Sequence, residues 1–268
     1  FSDKQSIYRQ IYDQLSAATG KRPEWGILTG IRPVKLCGEL YEKNQDVKKT
    51  RDILTSEYYL SEEKAQLIMD TYLHQKNFCG AAPDRSAGIY IGIPFCPTRC
   101  VYCSFASNQV PESEIVKYLA ALHKEIEYTG RRMKECGITP ETIYIGGGTP
   151  TTLRADQLKA LIEQIKNFFD LSKLKEFTIE AGRPDTITDE KLETIKKQGI
   201  QRISINPQSM KQHTLDLIGR SHKPEDITSA FALASSYRFQ SINADIIAGL
   251  PEENTEDFIN TLEELIGL

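Results

Sequence analysis

A change of rhythm between Gly80 and Gly88 narrows the folds open to this chain. Beyond it, short β-branched runs alternate with long helical patterns. The runs are GIYIGI, ETIYIGGG, EFTIEAG, QRISINP and SINADIIAG, separated by segments such as PESEIVKYLAALHKEIEYTGRRMKE and RADQLKALIEQIKNFF. Such alternation winds right-handed βαβ units into a parallel sheet. Five units cannot close a complete eightfold barrel, so an α/β fold with a partial or open barrel is expected. A doubly wound open sheet is the alternative.

Before the change, SIYRQIYDQLSAAT and SEEKAQLIMDTYLHQKNF repeat apolar residues at three- and four-residue steps, the pattern of amphipathic helices. Ser61 followed by Glu62 and Glu63 is a good helix start, and a further helix is expected to begin near Arg32-Pro33. CGAAPDRSAG reads as a linker. The expected organisation is a helical N-terminal region over 1–86 and an α/β domain over 87–268.

In either architecture the C-terminal ends of parallel strands carry function. Cys96, the run Gly146-Gly147-Gly148, Glu180, Gln208 and Asp245 each fall at or just past the end of one predicted strand. Five strands therefore point unusual residues at one rim.

Charge excludes some partners. The 33 basic and 37 acidic residues nearly cancel to −4, with no basic stripe for nucleic acid. Apolar runs are too short to span a bilayer, and no signal-peptide pattern is present. The chain begins at Phe1, and a fragment of a longer cytoplasmic protein is expected.

Three of the six cysteines, Cys96, Cys100 and Cys103, cluster with the spacing C-x3-C-x2-C. Clustered cysteines in a cytosolic chain read as ligands rather than a disulfide framework. Structural zinc wants four ligands, commonly as two pairs, and no second pair follows. A lone trio suits a 4Fe–4S cluster with one iron left open, with zinc as the alternative. Pro97 disfavours a helical Cys96, which places the trio on a loop. Cys37, Cys79 and Cys136 read as ordinary small apolar side chains. His74, His123, His213 and His222 show no ligand spacing and read as surface or helix-face residues.

The three cysteines, with Tyr102 before the last, resemble the radical S-adenosylmethionine motif. YIGIPFC, YIGGGTPT, TIEAGRPDTIT, RISINPQS and NADIIAGLPEE are similar to the oxygen-independent coproporphyrinogen III dehydrogenase (oxidase) family. The EAGRPDTIT and NPQSM wording, with WGILTGIRPVKL, resembles a divergent branch of it. The resemblance implies a (β/α)6-type radical SAM barrel, of which five units are present and the C-terminal side is missing. It implies a 4Fe–4S cluster held by Cys96, Cys100 and Cys103, with S-adenosylmethionine on the open iron. In that mechanism an electron from the cluster breaks the sulfonium bond, and a 5′-deoxyadenosyl radical takes hydrogen from substrate.

By the same resemblance, Gly147, Gly148 and Thr149 contact S-adenosylmethionine; three glycines let backbone approach a ligand, whose amino acid end their N–H and C=O groups can grip. Glu180 accepts the ribose hydroxyls. Gln208, Arg220 and Asp245 contact the cofactor or a second S-adenosylmethionine, Tyr90 contacts the cofactor, and Tyr102 packs beside the adenine. The expected partners are a porphyrinogen or haem ligand and a reducing electron donor. Where the enzymes of the family carry a further cysteine, two positions after the third ligand, this chain has Phe105. Three readings follow: an oxidoreductase that decarboxylates coproporphyrinogen III propionates to vinyl groups, a haem-binding carrier of the same family, and a zinc-stabilised structural domain.

Overall fold

The computed structural model describes residues 3–28, 32–80 and 85–268. The chain forms two compact units, Phe1–Pro83 and Asp84–Leu268. Residues 29–31 of the WGILTGIRPVKL stretch and 81–84 of the expected linker lie outside the described residues, as does the side chain of Cys79.

The first unit holds four helices: α1 (Asp3–Thr19), α2 (Pro33–Asn44), α3 (Val47–Tyr58) and α4 (Glu62–Cys79). Two begin where local chemistry predicts. Pro33 opens α2, its fixed φ suiting a first turn. Ser61 caps α4 by accepting a 3.2 Å hydrogen bond from the Lys64 N–H. Helix α3 has no counterpart in the sequence reading; Asp46 caps it through the Lys49 N–H at 2.8 Å. Cys37, Leu54, Leu60, Ala65, Ile68 and Met69 form its small core. Cys37 is thus an interior residue, as expected of a small apolar side chain.

The second unit is a parallel sheet of β1 (Ser86–Ile93), β2 (Thr139–Gly147), β3 (Glu176–Glu180), β4 (Arg202–Gln208) and β5 (Ser241–Ile246). Between them run α5 (Glu112–Cys136), α6 (Ala155–Phe168), α7 (Asp189–Lys197), the short α8 (Gln212–Leu217) and α9 (Pro224–Ser236), with α10 (Thr255–Ile266) last. Strand order is β1-β2-β3-β4-β5. A doubly wound sheet reverses its order at a switch point; sequential winding is that of a barrel, so the partial-barrel expectation holds and the alternative fails.

Side chains alternate across a strand, and here the two faces differ in chemistry. Ile91, Ile93, Ile143, Ile145, Phe177, Ile179, Ile203 and Ile205 are buried in the main core with Leu119, Leu158, Leu161, Ile195 and Ile227 of the helices. Burying each such side chain contributes roughly 1.5–3 kcal/mol. The intervening residues are polar or aromatic: Tyr90, Tyr144, Thr178, Glu180, Ser204, Asn243 and Asp245. Arg202 donates to Glu176 and Asn243, and Asn243 donates to Ser204 and Asp245. One face is held by packing, and the other presents polar groups.

Two expectations are corrected. Cys136, read as an ordinary small apolar side chain, does not join a core but is exposed where α5 ends. His222, read as a surface or helix-face residue, lies outside any helix and is only 1% exposed. Among the described residues no helix is long and apolar enough to cross a membrane.

Candidate radical SAM site

Strand ends gather the predicted residues. Glu180 is the last residue of β3 and Gln208 the last of β4; Asp245 is the penultimate residue of β5. Gln208 has φ +69° beside an irregularity in the β4–β5 register. A left-handed glutamine costs on the order of 1 kcal/mol, and such strain clusters at active sites and ligand clamps.

The cysteines occupy a loop beyond β1. Its base is closed by the Cys96 N–H to the Asn108 carbonyl at 3.2 Å and the Asn108 N–H to the Pro94 carbonyl at 2.8 Å. The Cys103 N–H turns back onto the Cys100 carbonyl at 3.2 Å, and the Val101 N–H donates to Ile218 at 3.1 Å. Cys96, Cys100 and Cys103 are free, partly exposed thiols. Burial pushes the Cys96 thiol up, against its hydrogen-bonded contact with the Thr149 hydroxyl and the positive charge of Arg183. Among the described residues no group of three or more His, Cys, Asp or Glu side chains, the cysteine trio included, is drawn together around a single metal ion. A closed zinc site needs four ligands around one ion, whereas three thiolates on a loop match the donor set of a 4Fe–4S cluster with one open iron.

The glycine run lies directly against this loop. A Cβ on Gly148 would stand 2.6 Å from the Phe95 carbonyl oxygen and 3.0 Å from Cys96 Sγ; Gly147 has φ +114° and its Cβ would meet Ile93 backbone at 2.9 Å. Glycine is required here for close approach. The expectation that N–H groups of the run grip a ligand is corrected. The Gly148 N–H donates to Ile93 at 2.7 Å, the Thr149 N–H to Phe95 at 2.7 Å, and the Gly147 N–H faces the Glu180 carboxylate. The Gly148 and Thr149 N–H groups carry the β1–β2 pairing past the strand ends and that of Gly147 turns to β3, leaving carbonyl oxygens as the run's offering to a ligand.

Two further groups assemble around it. Tyr90, 61% exposed, stacks on Tyr144 with ring centroids 5.8 Å apart. Tyr144 donates a 2.6 Å hydrogen bond to Glu180 Oε1. Burial raises the Glu180 pKa and the Asp245 charge adds to it, opposed by the Tyr144 and Gly147 hydrogen bonds. On the other side, buried Arg220 donates to the Asn206 carbonyl and to the Tyr102 hydroxyl, each at 3.1 Å. Thr149 is buried with Oγ1 3.3 Å from Cys96 Sγ. Thr149 with Gly148, and Arg220 with Tyr102, thus adjoin the cysteine loop. The Tyr90–Tyr144–Glu180 set instead meets the glycine run through the Gly147 N–H, and Gln208 is hydrogen-bonded to none of them.

Sequence reasoning missed Tyr144, Arg183 and His222. The first had a signal: it stands two residues before Gly146 on one strand and is in register with Tyr90 on the next, so period two places all three on one face.

A model of the radical SAM superfamily matches residues 90–265. The chain belongs to the radical SAM superfamily. As such it takes a 4Fe–4S cluster and S-adenosylmethionine. It is 39% identical over 269 residues to the oxygen-independent coproporphyrinogen-III oxidase-like protein HemZ of Bacillus subtilis, covering 97% of this chain and 53% of that protein. It is 35% identical over 180 residues to the heme chaperone HemW of the same organism, covering 67% of this chain and 47% of that protein. The solved structure of coproporphyrinogen III oxidase (HemN) from Escherichia coli superimposes with a TM-score of 0.63 at 27% identity, over 74% of this chain and 44% of that one. The chain spans about half the length of the curated relatives it matches.

Proposed function

We propose that this chain carries the radical-generating part of an oxidoreductase that decarboxylates coproporphyrinogen III. The observation that carries this reading is the reach of the match: similarity to the coproporphyrinogen-III oxidase-like relative extends over 97% of the chain. That span includes the helical first unit. The heme chaperone match covers 67%.

When bound, the cluster and S-adenosylmethionine supply a one-electron route to hydrogen-atom abstraction. In the proposed arrangement Cys96, Cys100 and Cys103 would hold the cluster. Carbonyls of Gly147 and Gly148, with Thr149, meet the amino acid end of S-adenosylmethionine. Glu180, held by Tyr144, would accept the ribose hydroxyls, and Tyr102, braced by Arg220, would lie beside the adenine. Tyr90, Gln208 and Asp245 line the remaining rim, where they contact the cofactor or a second S-adenosylmethionine. Each propionate would lose one hydrogen atom, carbon dioxide and one electron, the electron leaving to an acceptor. A reducing donor supplies the electron for each cleavage.

A second reading, a haem-binding carrier of the same family, draws support from the heme chaperone relatives and from Phe105. That side chain is 67% exposed where the resemblance places a further cysteine. The discriminating experiment gives the anaerobic full-length protein S-adenosylmethionine, reductant and coproporphyrinogen III. Vinyl porphyrinogen with stoichiometric carbon dioxide supports the oxidoreductase. Formation of 5′-deoxyadenosine without vinyl product, alongside saturable haem binding, favours the carrier.

A further inference from the structure

The EAGRPDTIT stretch contains a charged residue that the reading above does not use. Arg183, whose side chain is 3% exposed, lies three residues beyond the end of β3. Its guanidinium has five N–H donors, and the structure supplies five contacts. Nε donates to Asp185 Oδ1 at 3.0 Å and Nη2 to Asp185 Oδ2 at 3.2 Å, a bidentate pair. Nη2 also donates to Ser221 Oγ at 2.9 Å. Nη1 donates to both the Thr98 carbonyl, at 3.3 Å, and Thr98 Oγ1, at 2.5 Å.

Thr98 stands midway between Cys96 and Cys100. Ser221 follows Arg220, which braces Tyr102 immediately before Cys103. One buried cation therefore ties together the exit of β3, the middle of the cysteine loop and the segment that supports the loop's far end. Asp185 neutralises that cation, so its remaining donors can serve uncharged acceptors without leaving a bare charge in the interior. The alternative, an ion pair that merely fills the core, does not account for two hydrogen bonds directed at a single residue of the loop.

We propose that Arg183 is a positioning residue for the cysteine loop, fixing through Thr98 the spacing at which Cys96 and Cys100 present their thiolates to the cluster. The inference rests on those cysteines being the cluster ligands. Lysine cannot replace it, because one ammonium presents its donors from a single point and cannot reach three residues in a plane.

The test uses full-length protein, reconstituted anaerobically with iron and sulfide. Thr98→Val keeps the shape and removes one acceptor; Arg183→Lys removes the fork. Iron and sulfide per chain, the electron paramagnetic resonance spectrum of the reduced cluster and the rate of bleaching by a chelator are measured beside the melting temperature of the apoprotein. Thr98→Val is expected to leave apoprotein melting unchanged and to speed bleaching about tenfold, the loss of one charge-assisted hydrogen bond. Arg183→Lys is expected to speed it further and to alter the spectrum. Wild-type bleaching and spectra in both variants would overturn the proposal. Cys100→Ala is the control that separates the two claims: if it retains a full cluster, the ligand assignment itself fails, whatever the other variants do.

Discussion

The Tyr144 hydroxyl donates to Glu180 Oε1 at 2.6 Å, across 36 residues of sequence and two adjacent strands. It orients one carboxylate at the end of β3, and that carboxylate in turn holds the phenol far above its ordinary pKa, after burial as the larger cause. Removing the hydroxyl frees Glu180 to turn. Tyr144→Phe is expected to weaken S-adenosylmethionine binding about tenfold, the worth of one hydrogen bond to a charged group. Titration of the reconstituted protein followed by electron paramagnetic resonance checks it; an unchanged Kd would show that Glu180 holds its place without Tyr144.

Glu180 is expected to stabilise the site at the expense of the fold. Burial raises its pKa in the folded state. The native protein then binds this proton more tightly than the unfolded chain does, so stability is full below the ordinary carboxylate range and falls as pH rises through the raised value. Glu180→Gln is therefore expected to raise the apoprotein melting temperature by about 2–4 °C at pH 8, for about 1 kcal/mol, and by less at pH 4.5. Equal shifts at both pH values would contradict the sign.

His222 should make the same fold sensitive to acid. Its ring is buried with neither nitrogen hydrogen-bonded, and its pKa falls from the ordinary 6.5 to about 4. Burial is the main cause; Arg220 and Arg183 add to it, while Asp185 and Asp226 oppose it. The unfolded chain takes up this proton first as pH falls, so the stability His222 contributes is present above 6.5 and lost toward pH 4. Urea melts of wild type and His222→Phe at pH 7, 5.5 and 4.5 are expected to show a shallower acid decline in the variant. Parallel declines would remove His222 as the cause.

Gly148→Ala tests the contact between the glycine run and the cysteine loop. The added methyl would meet the Phe95 carbonyl at 2.6 Å and Cys96 Sγ at 3.0 Å, closer than packed atoms lie. The expected outcome is at least a severalfold loss of reconstituted iron and sulfide with the secondary structure intact by circular dichroism. Wild-type loading would mean that the loop can shift without losing its ligand geometry.

Some of this was legible in the chain because it is local. A strand alternates with period two and a helix with 3.6 whatever surrounds them, so the five βα units and the rim carrying Cys96, Gly146–Gly148, Glu180, Gln208 and Asp245 could be read directly. Helix α3 was not, because Val47–Tyr58 carries a polar pattern and only its Asp46 cap marks it. Cys136 misled for a related reason: composition places a cysteine inside on average, while its position at the end of α5 leaves it exposed.

The barrel-type succession of elements, the three-thiol loop and the side of the sheet on which polar residues end the strands are all written locally in the chain. Which distant groups meet depends on folding. Arg183 reaches Thr98 across 85 residues, and Tyr144 reaches Glu180 because strands β2 and β3 are neighbours in register. Folding also spends the N–H groups of Gly147, Gly148 and Thr149 within the protein, and buries His222. Propensity and periodicity act over a few residues, whereas burial, charge pairing and hydrogen-bond saturation depend on which loops the sheet brings to one rim.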